Sequence, residues 1–528
     1  MESSQIKALF IVVLASLFAV YLGVAAATAQ FEAIAWVSGF MGITMILAMG
    51  RNVWLLIPAA LSLDGTINAL PGSPPAWAFA GAIAATMFVI RFAMRRPDFT
   101  VKLDLIDAAI LLQVLVIGQA YARNPTGILL LGGDRAGGKS YFIFAAAFLA
   151  YACIAIVKPR ESSVRWVVIL MILFSVGDGL VSTISDWSAS FSALVLPIYS
   201  NVNFDTAMSG SAGFDLDAFR GGGGFFLLGQ AMVMPCFCLA RPISCMNPLR
   251  PWLFGIVLIG SVLVLLSGFR SGVAYLGAVF VVSALIRRKP IDAVAVGVVG
   301  ALGLIVIIMS GQLRSLPFGV QRVLSVLPVD VTAAARADAE NSTEWRIEMW
   351  KLALTTDRYI KNKTLGDGFG FSSAEMKAVL DAAQGFGDDF GSVQDQMLAQ
   401  GSYHGFHVET IRFTGVVGLL AAIVLMLVGF KKAMQLVRHY RGTSMFPYIA
   451  FICIPFLIYP WWSLLVFGSY RAEFPQFIVT MGLLKWLDNL RLAQMKAVPV
   501  AALVEESTPA PRSRMRAPAY AIAGSRQA

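Results

Sequence analysis

A few residues in this chain have the types and settings for proton and phosphate chemistry. His404 and His407 lie in the run SYHGFHVETIRFTGVVGLL, immediately ahead of an apolar segment, and are two of the three histidines in the chain. An imidazole with a pKa of about 6.5 can accept a proton from a hydroxyl near neutral pH, which makes His404 a candidate general base. His407 follows three residues later, so the two rings could share a helical face. That spacing would also suit a metal, but no third ligand is near in sequence, and a structural or interfacial histidine is the plain alternative. Arg270 sits in SGFRSG, a tight connection between two apolar segments. A guanidinium there either snorkels to lipid headgroups or meets an anion such as phosphate bidentately. Arg346 lies in ENSTEWRIEMWKLAL, and Arg471 in GSYRAEFP, where Glu473 offers a local ion-pair partner. Arg471, Trp350, His407, Arg412 and Glu409 are the further candidates for contact with a substrate.

The elements that must position these groups are membrane helices. Of the 528 residues, 58% are hydrophobic and 14% charged, and the mean hydropathy is +0.73. Soluble domains are about 45–50% apolar and about 25% charged. The excess implies many spanning helices in place of one large soluble core. Net charge is +10, but the basic residues form short clusters between apolar segments. That is an orientation signal and not a nucleic-acid surface. The five cysteines, Cys153, Cys236, Cys238, Cys245 and Cys453, lie in or beside apolar segments. None falls in 311–413, so that stretch carries no disulfide.

The fold expected is all-α and polytopic, with about 12–14 transmembrane helices. Apolar runs fill 8–27, 33–50, 53–63, 77–90, 103–121, 141–157, 164–182, 223–240, 252–266, 273–286 and 293–310, then 415–430, 445–465 and 474–487. The first ends in Ala27-Thr28-Ala29, which resembles a signal-peptide cleavage site; because a second span follows within a few residues, an uncleaved helix is expected. The chain therefore divides into a bundle at 1–310, a large loop at 311–413, C-terminal spans at 414–496 and a basic tail at 497–528. That tail is rich in Ala, Pro, Ser and Arg and reads as disordered. With the N-terminus inside, the basic clusters Arg91/Arg95/Arg96/Lys102, Lys158/Arg160/Arg165, Arg287/Arg288/Lys289 and Lys431/Lys432/Arg438/Arg441 all fall on the inner side. The large loop is then outside, with both termini in the cytoplasm.

Within the loop, STEWRIEMWKLALTTDRYI has helical character, with Asn341 or Ser342 as the expected cap. Its Trp residues suit an amphipathic helix lying on the membrane surface. Gly366-Asp367-Gly368-Phe369-Gly370 marks a tight turn. Asp388, Asp389 and Asp395 form an acidic patch, read as a solvated face with divalent-cation binding as the alternative. Elsewhere, 133–140 has the spacing of a phosphate-binding GxxxxGK[ST] loop, but no parallel α/β unit surrounds it.

Three landmarks in order carry a resemblance: SGFRSG ahead of a span; ENSTEWRIEMWKLAL followed by LGDGFGF; and YHGFHVETIRFTGVVGLL, with a His eleven residues before a GxxG that opens a span. Together with the topology they resemble the bacterial O-antigen ligase and O-antigen polymerase family, over about 255–430. The resemblance implies a GT-C-like glycosyltransferase of the bacterial inner membrane with a large, mainly helical periplasmic loop. It would be metal-independent and cofactor-free, transferring an undecaprenyl-diphosphate-linked glycan to an acceptor hydroxyl with inversion. Arg270 and Arg346 would bind the donor diphosphate and His404 would activate the acceptor. The family usually has Asn after this His; here Gly405 stands there, with Glu409 as a substitute to orient the imidazole.

The same resemblance implies a glycan or lipid A-core acceptor, the lipid bilayer, a flippase and a chain-length regulator as partners, with no nucleic acid. A polymerase of exopolysaccharide or O-antigen is expected first. A ligase acting on lipid A-core or protein is the alternative within the class, and a polytopic transporter of polysaccharide or lipid-linked substrate the alternative outside it. A transporter should show internal repeats and ionisable sites near mid-membrane; no convincing repeat occurs, and Asp178 lies toward the outer end of its span.

Overall fold

The structure is a computed structural model that describes residues 42–507, apart from 43, 45, 95–98, 100–101, 128–134, 201–222, 328, 358 and 373–400. The expected span at 8–27 and most of that at 33–50 lie outside the described residues. So do Asp388, Asp389 and Asp395, the first two positions of 133–140, and the tail beyond Ser507.

The architecture is a helical bundle. Its main helices are α1 (Ala76–Ala93), α2 (Leu105–Arg123), α3 (Gly138–Ala155), α4 (Glu161–Trp187), α5 (Gly223–Leu239), α6 (Pro251–Leu266), α7 (Arg270–Ile286), α8 (Pro290–Met309), α9 (Phe318–Leu324), α10 (Ala333–Thr355), α11 (Phe406–Tyr440), α12 (Phe446–Leu465) and α13 (Phe474–Ser507). Among the described residues, seven helices are long and apolar enough to cross a membrane: α1 to α4, α8, α11 and α12. Four shorter apolar helices, α5 to α7 and Ile46–Leu61, stand beside them. The expected span at 53–63 is the second half of that last piece, a 3-10 turn, Gly50–Leu55, running into Leu56–Leu61. The expected last span at 474–487 lies in α13, which is not among these apolar helices and continues to Ser507, into what composition marked as disordered tail.

Local chemistry sets several helix starts. Asp104 and Asp107 form a reciprocal capping box at the head of α2, satisfying donors that a bare helix start leaves open. Pro251 and Pro290 open α6 and α8, where proline's fixed φ costs nothing. The four β-strands are two-residue ribbons that tie loops together: β1 (Thr66–Ile67) pairs with β3 (Tyr199–Ser200), and β2 (Arg135–Ala136) with β4 (Phe371–Ser372), both antiparallel. The described part of this Gly-rich segment, 135–140, therefore leads from a loop ribbon into an apolar helix. Lys139 belongs to the first turn of α3.

The bundle has two chemically distinct ends. At one, Arg441 Nε donates to the Ile286 carbonyl at 2.9 Å, Arg241 pairs with Asp292 at 2.6 Å, and Phe99 bridges Val157. Lys432, Lys485 and Arg491 are matched there by Asp104, Asp107 and Asp488. Those three cations and three anions satisfy one another in a largely buried place where an unpaired charge would be costly. At the other end lie both ribbons, the 364–370 turn and the start of α11. There Asp178, buried near the end of α4, accepts from the Tyr199 hydroxyl at 2.5 Å and from the Asp64 amide at 3.2 Å. Helices of 18–19 residues such as α1 to α3 separate the two ends by about 27 Å at 1.5 Å per residue.

Candidate functional site

The site is assembled along α10. Thr332 caps this helix, its hydroxyl accepting from the Ala335 amide at 3.4 Å. The cap therefore stands nine residues before Asn341, because AAARADAE continues the helix upstream with residues of high propensity. The helix does not lie free on a membrane surface. Met349 and Ala353 are buried against Ile360, Tyr403 and Val408, with Trp345, Trp350 and Leu354 around them. Sequence periodicity found the apolar face but not the partner that covers it.

Arg270 is the first residue of α7. Its Nη2 donates to the Ala339 carbonyl at 3.0 Å and approaches Thr343 Oγ1 at 3.4 Å. Thr343 lies one turn before Arg346 on α10. The Arg346 guanidinium lies over the Phe467 ring, 5.8 Å from its centroid. The His404 ring stacks on the same phenyl group at 6.1 Å and meets Trp345 at 5.8 Å. Arg346 and His404 thus share one aromatic ring, and Arg270, from a third part of the chain, meets α10 one turn before Arg346.

His404 itself has φ 48°, the left-handed region that non-glycine residues seldom occupy outside functional or tightly held positions. Gly405 is the N-cap of α11, so His404 precedes the helix and does not share a helical face with His407. The two rings face different partners. His407 meets the Trp350 indole edge-on at 4.8 Å, and its Nδ1 is buried with no hydrogen-bond partner among the described residues. Trp350 donates from Nε1 to the Tyr403 carbonyl at 2.7 Å. A Cβ on Gly405 would lie 2.7–2.9 Å from the Trp350 ring. The indole fills the space that a side chain at 405 would need.

Three of the expected substrate contacts hold structure together instead. Glu409 is 4% exposed and does not orient His404; its Oε2 accepts from Ser469 Oγ and the Tyr470 amide, both at 2.8 Å. It fastens the 467–473 loop, which carries Phe467, to α11. Arg412 is 7% exposed and pairs with Asp367 at 2.5 Å, fixing the glycine turn. Trp350 closes over Gly405 as described. Arg471 makes no ion pair with Glu473; its guanidinium lies over the Phe413 ring at 5.8 Å. No hydrogen bond or ion pair engages that guanidinium among the described residues, and the buried Glu409 carboxylate is the anion it acts on electrostatically.

The turn at 364–370 explains the GxxG landmark. Gly415 has φ 76° and breaks α11. Breaking a helix orphans carbonyls before the break and amides after it. Here Asp367 and Gly368 amides donate to the Arg412 and Phe413 carbonyls at 2.8 and 3.0 Å, while Val416 and Val417 amides donate to Lys363 and Thr364 carbonyls at 2.9 and 3.2 Å. Arg123 and Asn124, at the end of α2, donate to the Gly366 and Asp367 carbonyls at 2.9 and 2.8 Å. The loop is thereby tied to the bundle just behind His404.

Residues that motif reading passed over include Phe467 and Arg322, and it offers Glu473 only as a partner for Arg471. Arg322, on α9, pairs with Asp338 of α10 at 2.5 Å and donates to the Gly268 carbonyl at 3.2 Å, locking the SGFRSG turn to the helix that carries Arg346. Its only signal in sequence is a basic residue within the same loop. Glu473 stands half-buried between α11 and the 64–75 turn. Burial first, then the nearby Glu409 and Asp64 charges, push its carboxyl up to about 8. No group of three or more His, Cys, Asp or Glu side chains suited to a metal ion occurs among the described residues. A scan of the chain against protein-family models finds no match, and no curated protein matches it.

Proposed function

We propose that this chain is an inner-membrane glycosyltransferase that joins a lipid-diphosphate-linked glycan to an acceptor sugar, polymerising exopolysaccharide or O-antigen units. The observation that carries the reading is that Arg346 and His404 share the Phe467 ring while Arg270 meets α10 one turn before Arg346, at the end of the bundle opposite the basic clusters. That end is periplasmic if the positive-inside rule holds for this chain. The donor diphosphate would sit between Arg270 and Arg346. Among the described residues Arg270 uses only Nη2, on α10, and it stands at the N-terminus of a helix with no side-chain cap. Helix N-termini and guanidinium groups both favour phosphate.

In the transfer, the acceptor oxygen forms a bond to the anomeric carbon as the bond to the diphosphate oxygen breaks. The electron pair leaves with the lipid diphosphate, whose charge the two arginines neutralise. His404 takes the acceptor proton, and attack opposite the leaving group inverts the anomeric centre. The separate variants His404→Ala, Arg270→Ala and Arg346→Ala, expressed in the native strain, are each expected to reduce polymer by about a hundredfold or more. Glycan length and lipid linkage on gels provide the measurement. Normal polysaccharide in all three, with protein present in the membrane, would overturn the proposal. Full-length chains left on the lipid carrier would reassign the enzyme from polymerase to ligase.

A further inference from the structure

At the basic end of the bundle, about 27 Å from the candidate site by helix length, a small, half-enclosed cleft of about 30 Å³ opens between α1, α4 and the Gly50–Leu55 turn. Arg51, Arg91, Lys158 and Arg160 stand around it, and the buried rings of Trp54 and Phe88 line its floor. No acidic side chain belongs to this lining among the described residues. The contrast with the rest of that end is informative. Lys432, Lys485, Arg491 and Arg241 each have a carboxylate partner, whereas Arg51, Lys158 and Arg160 have neither a side-chain hydrogen bond nor an ion pair among the described residues. Like charges gathered around one cleft repel each other, and a bound anion relieves that repulsion.

We infer that this cleft is a binding site for a phosphate group, and specifically for the headgroup of an anionic phospholipid from the adjacent leaflet. Guanidinium groups match phosphate oxygens bidentately, and Lys158 adds a point charge. The lipid source follows from the setting. On the last turns of α1, beside the cleft, Val89 and Phe92 are each 68% exposed, an apolar surface that suits acyl chains and not water. A basic rim at the end of spanning helices stands at headgroup depth, where anionic lipid is concentrated.

The test uses the full-length protein in nanodiscs of phosphatidylcholine, alone or mixed with phosphatidylglycerol. Native mass spectrometry counts retained lipid, and thermal unfolding is followed in parallel. The parent is expected to retain phosphatidylglycerol over phosphatidylcholine and to unfold at a higher temperature in the mixed discs. Combining Arg51→Gln, Lys158→Gln and Arg160→Gln is expected to weaken that retention about tenfold or more, equivalent to about 1.4 kcal/mol. Lys158→Gln alone, at an exposed position that cannot disturb the fold, is expected to weaken it about threefold. The pair Lys431→Gln and Arg438→Gln, which removes charge from the same end away from the cleft, is expected to leave retention unchanged. Equal retention in the triple variant, or equal loss in the distant pair, overturns the site. Inorganic phosphate that stabilises the protein in phosphatidylcholine discs and displaces phosphatidylglycerol overturns the lipid assignment in favour of free phosphate.

Discussion

A side chain at position 405 would have to share space with the Trp350 indole, which already spends its N–H on the Tyr403 carbonyl. Glycine there lets the indole close under the segment that carries His404. Gly405→Asn is accordingly expected to destabilise the protein by roughly 1–3 kcal/mol through overpacking. Thermal unfolding in detergent measures it, and Trp350→Ala in the same chain should restore room for the Asn. His404 owes its placement to two aromatic neighbours, Trp345 and Phe467, and to an uncommon backbone conformation. Sequence reading named His404, Arg270 and Arg346 from residue type and setting. It had no means of naming Phe467, since a phenylalanine after an apolar run looks like any other membrane residue until Arg346 and His404 are seen to rest on it.

At the scale of elements, α10 and the break in α11 organise the site. Each side of the break at Gly415 depends on carbonyls and amides from 363–368, so two distant segments complete one helix-like hydrogen-bond pattern. An unsatisfied amide or carbonyl at that depth would be costly, which is why irregular backbone in a membrane protein is found where protein covers it. A Cβ on Gly415 would fall 2.1 Å from the Thr364 carbonyl oxygen. Gly415→Ala combines that overlap with about 1–3 kcal/mol for a positive-φ, extended backbone (φ 76°, ψ −178°) that essentially only glycine adopts. It should sharply lower the yield of folded protein, read as monodisperse material on size exclusion. The GxxG at 415–418 was legible as a landmark. That its first glycine is also a break, joining the apolar segment to a preceding helical turn, depends on residues some fifty positions upstream, beyond any local pattern.

On the scale of the whole molecule, the polarity between the two ends is the central property. Asp357, an exposed residue on the loop after α10, and Arg438, near the far end of α11, sit at opposite ends. With the large loop periplasmic, a cysteine at Asp357 is expected to react with an impermeant maleimide in intact cells with a permeabilised outer membrane. One at Arg438 should react only after the inner membrane is opened. The reverse pattern would invert the orientation and with it the proposed reaction.

The site end also contains a pH response. Glu473 is held neutral by burial and by Glu409 and Asp64 up to about pH 8, against an ordinary value of 4.5. Between those values the folded state binds a proton that the unfolded chain has released, so stability is complete below about pH 4.5 and declines as pH rises toward 8. Glu473→Gln should flatten that decline, seen as a smaller fall in unfolding temperature across the window. A slope unchanged by the substitution would remove Glu473 from the account.

Composition and periodicity alone determined that this is a polytopic helical chain and placed most described helices close to their apolar runs. These depend on hydrophobicity over windows of about twenty residues, which is local information. The positions of the basic clusters and the candidate histidine and arginines were likewise written in residue types. Only the tertiary structure decided which of the polar residues near His404 face the site. Arg412 and Glu409 look as available in sequence as Arg346, yet both are buried with partners 45 and 60 residues away. A buried charge takes the role its partner assigns, and pairing across such separations is set by how helices pack, not by spacing along the chain.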